Sequence, residues 1–123
     1  MNLAPDYTDC VTAIRYILLQ TSDYILPRAY IGDMPNTMLE TGSIEVSLQS
    51  AQPWDIIFFE RMSFTHGHYM IAHIGIIISD SEFFHSSLHH GGWQISSYHT
   101  QEYESMILDE SYLAIATDPR NHA

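Results

Sequence analysis

One cysteine and two histidines set in apolar runs are the residues of this chain whose types and spacing suit nucleophilic catalysis: Cys10, His73 and His85. A thiolate attacks carbonyl carbon readily, and an imidazole titrating near neutral pH is the usual group to take the thiol proton. The chain holds a single cysteine, so no disulfide forms within it, and Cys10 is either a core residue or a reagent. Free cysteines are among the most buried side chains, which favours the core. Its position argues the other way. Cys10 heads the amphipathic stretch Cys10-Val11-Thr12-Ala13-Ile14, and the partial positive charge of a helix N-terminus favours thiolate.

His73 lies within Ile71-Ala72-His73-Ile74-Gly75-Ile76-Ile77-Ile78, and His85 within Glu82-Phe83-Phe84-His85-Ser86-Ser87. Either alone reads as a histidine satisfied in a strand, since imidazoles are often partly buried. Asp80-Ser81 between them reads as a tight hairpin turn, which makes the two strands neighbours. Imidazoles on one face of such a pair come within reach of each other. With Cys10 they form a set of nucleophile, base and orienting group.

The elements that must position these groups follow from periodicity. From Thr8 to Gln20 the apolar residues Val11, Ile14, Ile17 and Leu18 recur at helical spacing, with Thr8 or Asp9 as N-cap. Leu26-Pro27-Arg28 breaks that helix, and Pro35 opens a short second one running to Glu40 and ended by Gly42. Beyond Pro53 the texture becomes β-branched and aromatic, which predicts strands at about 55–60, 73–79, 82–87, 93–97 and 112–117. A short helix is expected over 100–106. Helices first and a sheet afterwards is an α+β pattern, with the N-terminal helix packed on one face of an antiparallel sheet.

At 123 residues the chain makes one domain, residues 1–123, able to bury a core without metals or disulfides. Fifteen acidic residues face four arginines, with no lysine and a formal net charge of −11. Such a charge repels phosphate, so nucleic acid and anionic membrane surfaces are not expected partners. Without lysine, Schiff-base and P-loop chemistries are excluded. No run reaches the length of a membrane span. The opening Met1-Asn2-Leu3-Ala4-Pro5-Asp6-Tyr7 has no basic or long apolar region, so no secretory signal is expected, leaving a cytoplasmic setting or a signal-independent export route.

In order along the chain, the segments resemble the NlpC family of papain-like cysteine peptidases, bacterial enzymes that cut murein peptides. The resemblance is carried by Asp9-Cys10-Val11-Thr12, Leu26-Pro27-Arg28, Pro53-Trp54-Asp55-Ile56-Ile57-Phe58-Phe59, His73-Ile74-Gly75-Ile76, Phe83-Phe84-His85-Ser86-Ser87 and Gly92-Trp93-Gln94-Ile95-Ser96-Ser97, and spans roughly residues 9–117. It implies a papain-like fold, Cys10 as nucleophile, His73 as base and His85 as the group orienting that base. It also implies a murein stem peptide as substrate, cut between γ-D-glutamate and a diamino acid, with Asp9 binding the substrate amino group and no cofactor. Val11-Thr12 and Trp54 stand where the family has Ser-Gly and Gly, so the cleft wall is bulkier and the Trp54 turn is expected to take another geometry. Tyr7 is the stand-in for a tyrosine that the family places further upstream.

Two other readings compete. His66, His68 and the pair His89-His90 are imidazoles that zinc accepts, but their spacing matches no structural zinc pattern, and no metal site is expected. A papain-like shell with a structural Cys10 would instead make a noncatalytic binding module.

Overall fold

Helix α1 spans Cys10–Ser22 and buries Ala13, Ile14 and Leu18 along one face. The computed structural model describes residues 10–87 and 92–122, with the backbone alone at Cys10 and Ser87. The expected caps Thr8 and Asp9 lie outside the described residues. The helix runs two residues past the expected end because Thr21 and Ser22 turn their hydroxyls back to the carbonyls of Ile17 and Leu18. Asp23 then stops it by taking a left-handed conformation, φ 58°. Helix α2, Met34–Glu40, carries Pro35 in its first turn, and Gly42 at φ 111° follows its end, as the sequence predicts.

Six strands form one sheet: β1 (Ile44–Val46), β2 (Ile56–Ser63), β3 (His68–Ile77), β4 (Glu82–Ser87), β5 (Gly92–Ser97) and β6 (Tyr112–Ala116). Their order is β1-β6-β2-β3-β4-β5, and every neighbour is antiparallel. Helix α3, Gln101–Leu108, lies between β5 and β6 in the chain. The α+β class with an antiparallel sheet agrees with the sequence reading. Among the described residues no helix is long and apolar enough to cross a membrane.

The sheet separates two cores. On one face Ile14 and Leu18 of α1 and Met34 and Met38 of α2 pack against Ile56, Phe58, Ile74, Ile76 and Ile115. On the other, Tyr103 of α3 and Tyr98 pack against Ile57, Phe59, Ile77 and Phe83. Each large side chain so buried contributes about 1.5–3 kcal/mol. Strand alternation sorts the two sets: Ile56 and Phe58 go to the α1 side, Ile57 and Phe59 to the α3 side.

Three local features depart from expectation. Strand β1 precedes Pro53; it is short, and pairing with β6 rather than its own pattern makes it a strand. The β2–β3 hairpin reaches to Ser63 and His68, beyond the strands expected at 55–60 and 73–79. There Met62, Tyr69 and Met70 are exposed, and no buried face imposes period-two patterning. The β3–β4 connection is four residues, Ile78–Ser81, not a two-residue turn; the Ser79 hydroxyl accepts from the amides of Ser81 and Glu82 and fixes its path.

The turn before β2 has an unusual backbone at Trp54. Trp54 adopts φ 79°, the left-handed region that favours glycine. Its amide donates to the Ile77 carbonyl at 2.9 Å, and the Ile77 amide donates to the Asp55 carbonyl at 2.8 Å. These bonds hold the bulky residue in that conformation. The turn therefore carries strain at Trp54.

Candidate active site

His73 sits just past an irregularity in the β2–β3 pairing. Phe59 pairs with His73 while Glu60 pairs with Ile71, so Ala72 is an extra residue on β3. A bulge of this kind re-aims the side chains beside it. His85 sits on β4 opposite Gln94 of β5 and is fully buried. The two imidazoles meet edge to face, ring centroids 4.8 Å apart at 87°, with His73 Nε2 2.6 Å from His85 Nδ1. The far nitrogen of His85, Nε2, lies 2.7 Å from the Ser96 hydroxyl, and the Gln94 amide donates to that same hydroxyl at 3.3 Å.

Aromatic rings wall the pair. Tyr103 stacks near His73 with centroids 6.2 Å apart and meets His85 edge-on at 5.6 Å. Phe83 lies 4.6 Å from the His85 ring. Burial among these groups lowers the His73 pKa to about 4; Glu102 opposes the shift and Arg61 adds to it. The opposed effects come from an ion pair at the rim, where Arg61 donates to Glu102 at 2.7 Å. His73 is therefore a neutral imidazole at physiological pH, with a lone pair available on one nitrogen. Burial likewise pushes the Tyr103 phenol up to about 12, so it stays protonated.

The structure brings His73 and His85 together, on the sheet face that α3 covers. Helix α1 packs on the opposite face, against Ile74 and Ile76, with Phe84 beside them. Cys10 is the first residue of that helix, and its thiol lies outside the described side chains. Asp9 and Tyr7 lie outside the described residues, as do His89 and His90. His66 and His68 stand at the exposed end of the β2–β3 hairpin, ring centroids 6.1 Å apart. His66 Nδ1 is 2.9 Å from the Ser63 hydroxyl, and His68 Nδ1 donates to the Tyr69 carbonyl at 3.0 Å. Among the described residues no three His, Cys, Asp or Glu side chains are grouped to hold a metal ion.

Sequence reasoning missed Ser96, Gln94 and the Arg61–Glu102 pair. The first two had a signal: they alternate on β5, which puts them on the same face, beside the strand that bears His85. Arg61 and Glu102 had none, being 41 residues apart.

A helix opened by cysteine on one face of an antiparallel sheet, with an imidazole pair on adjacent strands, makes an α+β fold similar to that of NlpC/P60 domains. The sequence profile of the NlpC/P60 family matches residues 3–111, and the chain belongs to this family. No curated protein matches it. Among solved structures it is similar to a lipoprotein-like NLP/P60 family protein of Staphylococcus aureus subsp. aureus Mu50, at 18% identity and TM-score 0.62, over 89% of this chain and 32% of that one. An NlpC/P60 family protein of Bacillus cereus ATCC 10987 gives 21% identity and TM-score 0.59, over 87% and 30% of the two chains. The NlpC/p60 domain of the peptidoglycan hydrolase SagA gives 16% identity and TM-score 0.58, over 94% and 81%. The chain thus spans about a third of the first two proteins.

Proposed function

We propose that this protein is a cysteine endopeptidase or amidase that hydrolyses the γ-D-glutamyl to diamino-acid bond of murein stem peptides through Cys10, His73 and His85. The observation that carries the reading is the 2.6 Å contact between His73 and His85, which joins a neutral base to a second imidazole able to fix its tautomer. Family membership supports it, as does the fold shared with a domain described as belonging to a peptidoglycan hydrolase.

In the reaction, Cys10 Sγ forms a bond to the scissile carbonyl carbon while its proton passes to His73. The tetrahedral intermediate places its oxyanion near the Cys10 amide at the start of α1, where an unsatisfied helix N–H is a suitable donor. Collapse breaks the C–N bond, and His73 returns the proton to the departing amine, leaving a thioester. Water then attacks that carbonyl, giving up a proton to His73. The C–S bond breaks, the carboxylic acid leaves, and the thiol takes its proton back. Asp9 suits the cationic amino group of the stem peptide. The reading requires the thiol to reach His73 beyond the point where paired β3–β4 register stops, at Ile76 and Phe84.

Incubation with the tripeptide Ala-γ-D-Glu-diaminopimelate and with intact sacculi, followed by product mass, tests this. Cleavage of the free stem alone supports a recycling enzyme, and cleavage of sacculi a lytic one. If neither yields product while brief iodoacetamide at pH 6 modifies Cys10, the substrate is a non-murein amide. An unmodified thiol together with no product identifies a noncatalytic module.

A further inference from the structure

We propose that the cavity between the Trp54 turn, the end of α1 and the C-terminal turn is a binding site for a neutral saccharide, with the Trp54 indole as its stacking face. The site lies apart from the imidazole pair and does not rest on the proposed reaction. Phe59, the partner of His73 in the sheet, is about 17 Å further along the chain at strand spacing. Helix α1 meets the cavity through Ser22 in its last turn, at the end opposite Cys10.

Trp54 is the residue that needs explaining. At φ 79° it holds a conformation that a bulky side chain rarely adopts, and strain of this kind gathers at ligand clamps and other functional sites. The fold makes little use of the indole. It belongs to neither core, and Trp54 is 39% exposed. Among the described residues the ring stacks on no other, and its N–H makes no hydrogen bond. Glycine would suit this backbone better and would give up no core contact.

The indole instead lines a cavity of about 380 Å³, within the range of small-ligand sites. Tyr24, Asp23, Asp118, Arg120 and Asn121 stand around it. Its walls are held together, because Asp55, next to Trp54, accepts from His122 Nε2 of the C-terminal turn at 2.8 Å.

Charge selects the ligand. Arg120 donates from Nε to Asp118 Oδ1 at 3.0 Å and from Nη2 to Oδ2 at 2.8 Å, a two-pronged pair. An anion would have to displace Asp118 from that fork, and an ammonium ion would have to sit beside a guanidinium. A neutral polyhydroxyl ligand disturbs neither. Its hydroxyls accept from the Arg120 N–H groups that the fork leaves free and donate to the carboxylates of Asp118 and Asp23, while the Asn121 amide can do both. A pyranose ring joins such a rim of hydroxyls to an apolar face of C–H bonds, and the flat indole matches that face.

Cellotetraose and chitotetraose, titrated at millimolar concentration into the full chain and followed by the indole N–H signals in nitrogen-15 spectra, test this. The chain has two tryptophans, so Trp54→Gly identifies the signal of Trp54. At least one oligosaccharide should shift that signal saturably and leave the Trp93 signal in place. Trp54→Gly should weaken binding about tenfold or more, the worth of one aromatic stacking contact, and should raise the urea midpoint by relieving the positive φ. Asp118→Ala, which keeps the indole, should weaken binding as well. No saturable shift with either sugar overturns the proposal, as does native affinity in Trp54→Gly. Saturation by cadaverine or inorganic phosphate, with neither sugar binding, would make this a site for a charged ligand and overturns it equally. If Trp54→Gly does not fold, the indole is there for packing and the inference fails.

Discussion

His73 and His85 meet two positions out of register. The pairs Ile76–Phe84 and Ile77–Phe83 set a register that brings Gly75, not His73, level with His85, and the two rings reach each other diagonally. The glycine makes this possible. A Cβ at Gly75 would lie 2.7 Å from Phe83 Cδ2 and 3.0 Å from the Phe84 carbonyl oxygen. Backbone on one side prevents that contact from relaxing by a side-chain rotation alone. Gly75→Ala is therefore expected to destabilise the fold by about 1–3 kcal/mol, the usual cost of overpacking, and to part the imidazoles. A lowered urea midpoint with the m-value unchanged is the expected result; a midpoint equal to that of the native protein would contradict the packing described.

The second prediction concerns pH and stability. His73 has an ordinary pKa of 6.5 when unfolded and about 4 when folded. Between those values the unfolded chain binds a proton that the folded chain does not, so stability falls as pH drops through that window. At about 1.4 kcal/mol per unit, the loss is on the order of 3 kcal/mol by pH 4. Urea titrations at pH 7, 5.5 and 4.5 should show it, and His73→Gln should flatten the slope by the part due to this group. An equal slope in that variant would assign the effect to other residues.

A third prediction separates the catalytic roles. Cys10→Ala and His73→Ala should each abolish turnover, while His85→Ala should leave residual activity, because it acts only by orienting the base. The losses in the double variant of Cys10 and His73 should overlap and not add, as they do for groups working in one unit. Rates measured on the tripeptide stem decide this, and additive losses would show that the two residues act separately.

Much of this arrangement is legible in the sequence. The helical spacing of Val11, Ile14 and Leu18 and the apolar runs around His73 and His85 record burial directly, so α1, β4 and the pairing of the two imidazoles could be read. What escaped has a common cause. Strand β1 is held by β6, 68 or more residues away, and Ile44 and Glu45 face solvent, so neither residue carries a periodic signature. The outer half of the β2–β3 hairpin has the same problem, since a strand exposed on both faces has no alternation to display. Arg61 and Glu102 are ordinary surface charges until the fold brings them together beside His73.

The last prediction lies away from the imidazole pair. Asp55 is buried at the start of β2, and its Oδ2 accepts from the Gln52 amide at 2.7 Å and from His122 Nε2 at 2.8 Å. The second bond ties the C-terminal turn, residues 119–122, to the turn that holds Trp54 in its strained conformation. Asp55→Ala leaves two donors without their acceptor and should cost about 3 kcal/mol, given that hydrogen bonds to charged groups contribute about 1.5–3 each. His122→Ala leaves the Gln52 bond in place and should cost about half as much. Because both act through one carboxylate, the double variant should be no less stable than Asp55→Ala alone. Chemical denaturation of the three variants gives the comparison. If the double variant loses the sum of the two single losses, His122 stabilises the fold by contacts other than Asp55, and the latch between the two turns is not what holds the C-terminus in place.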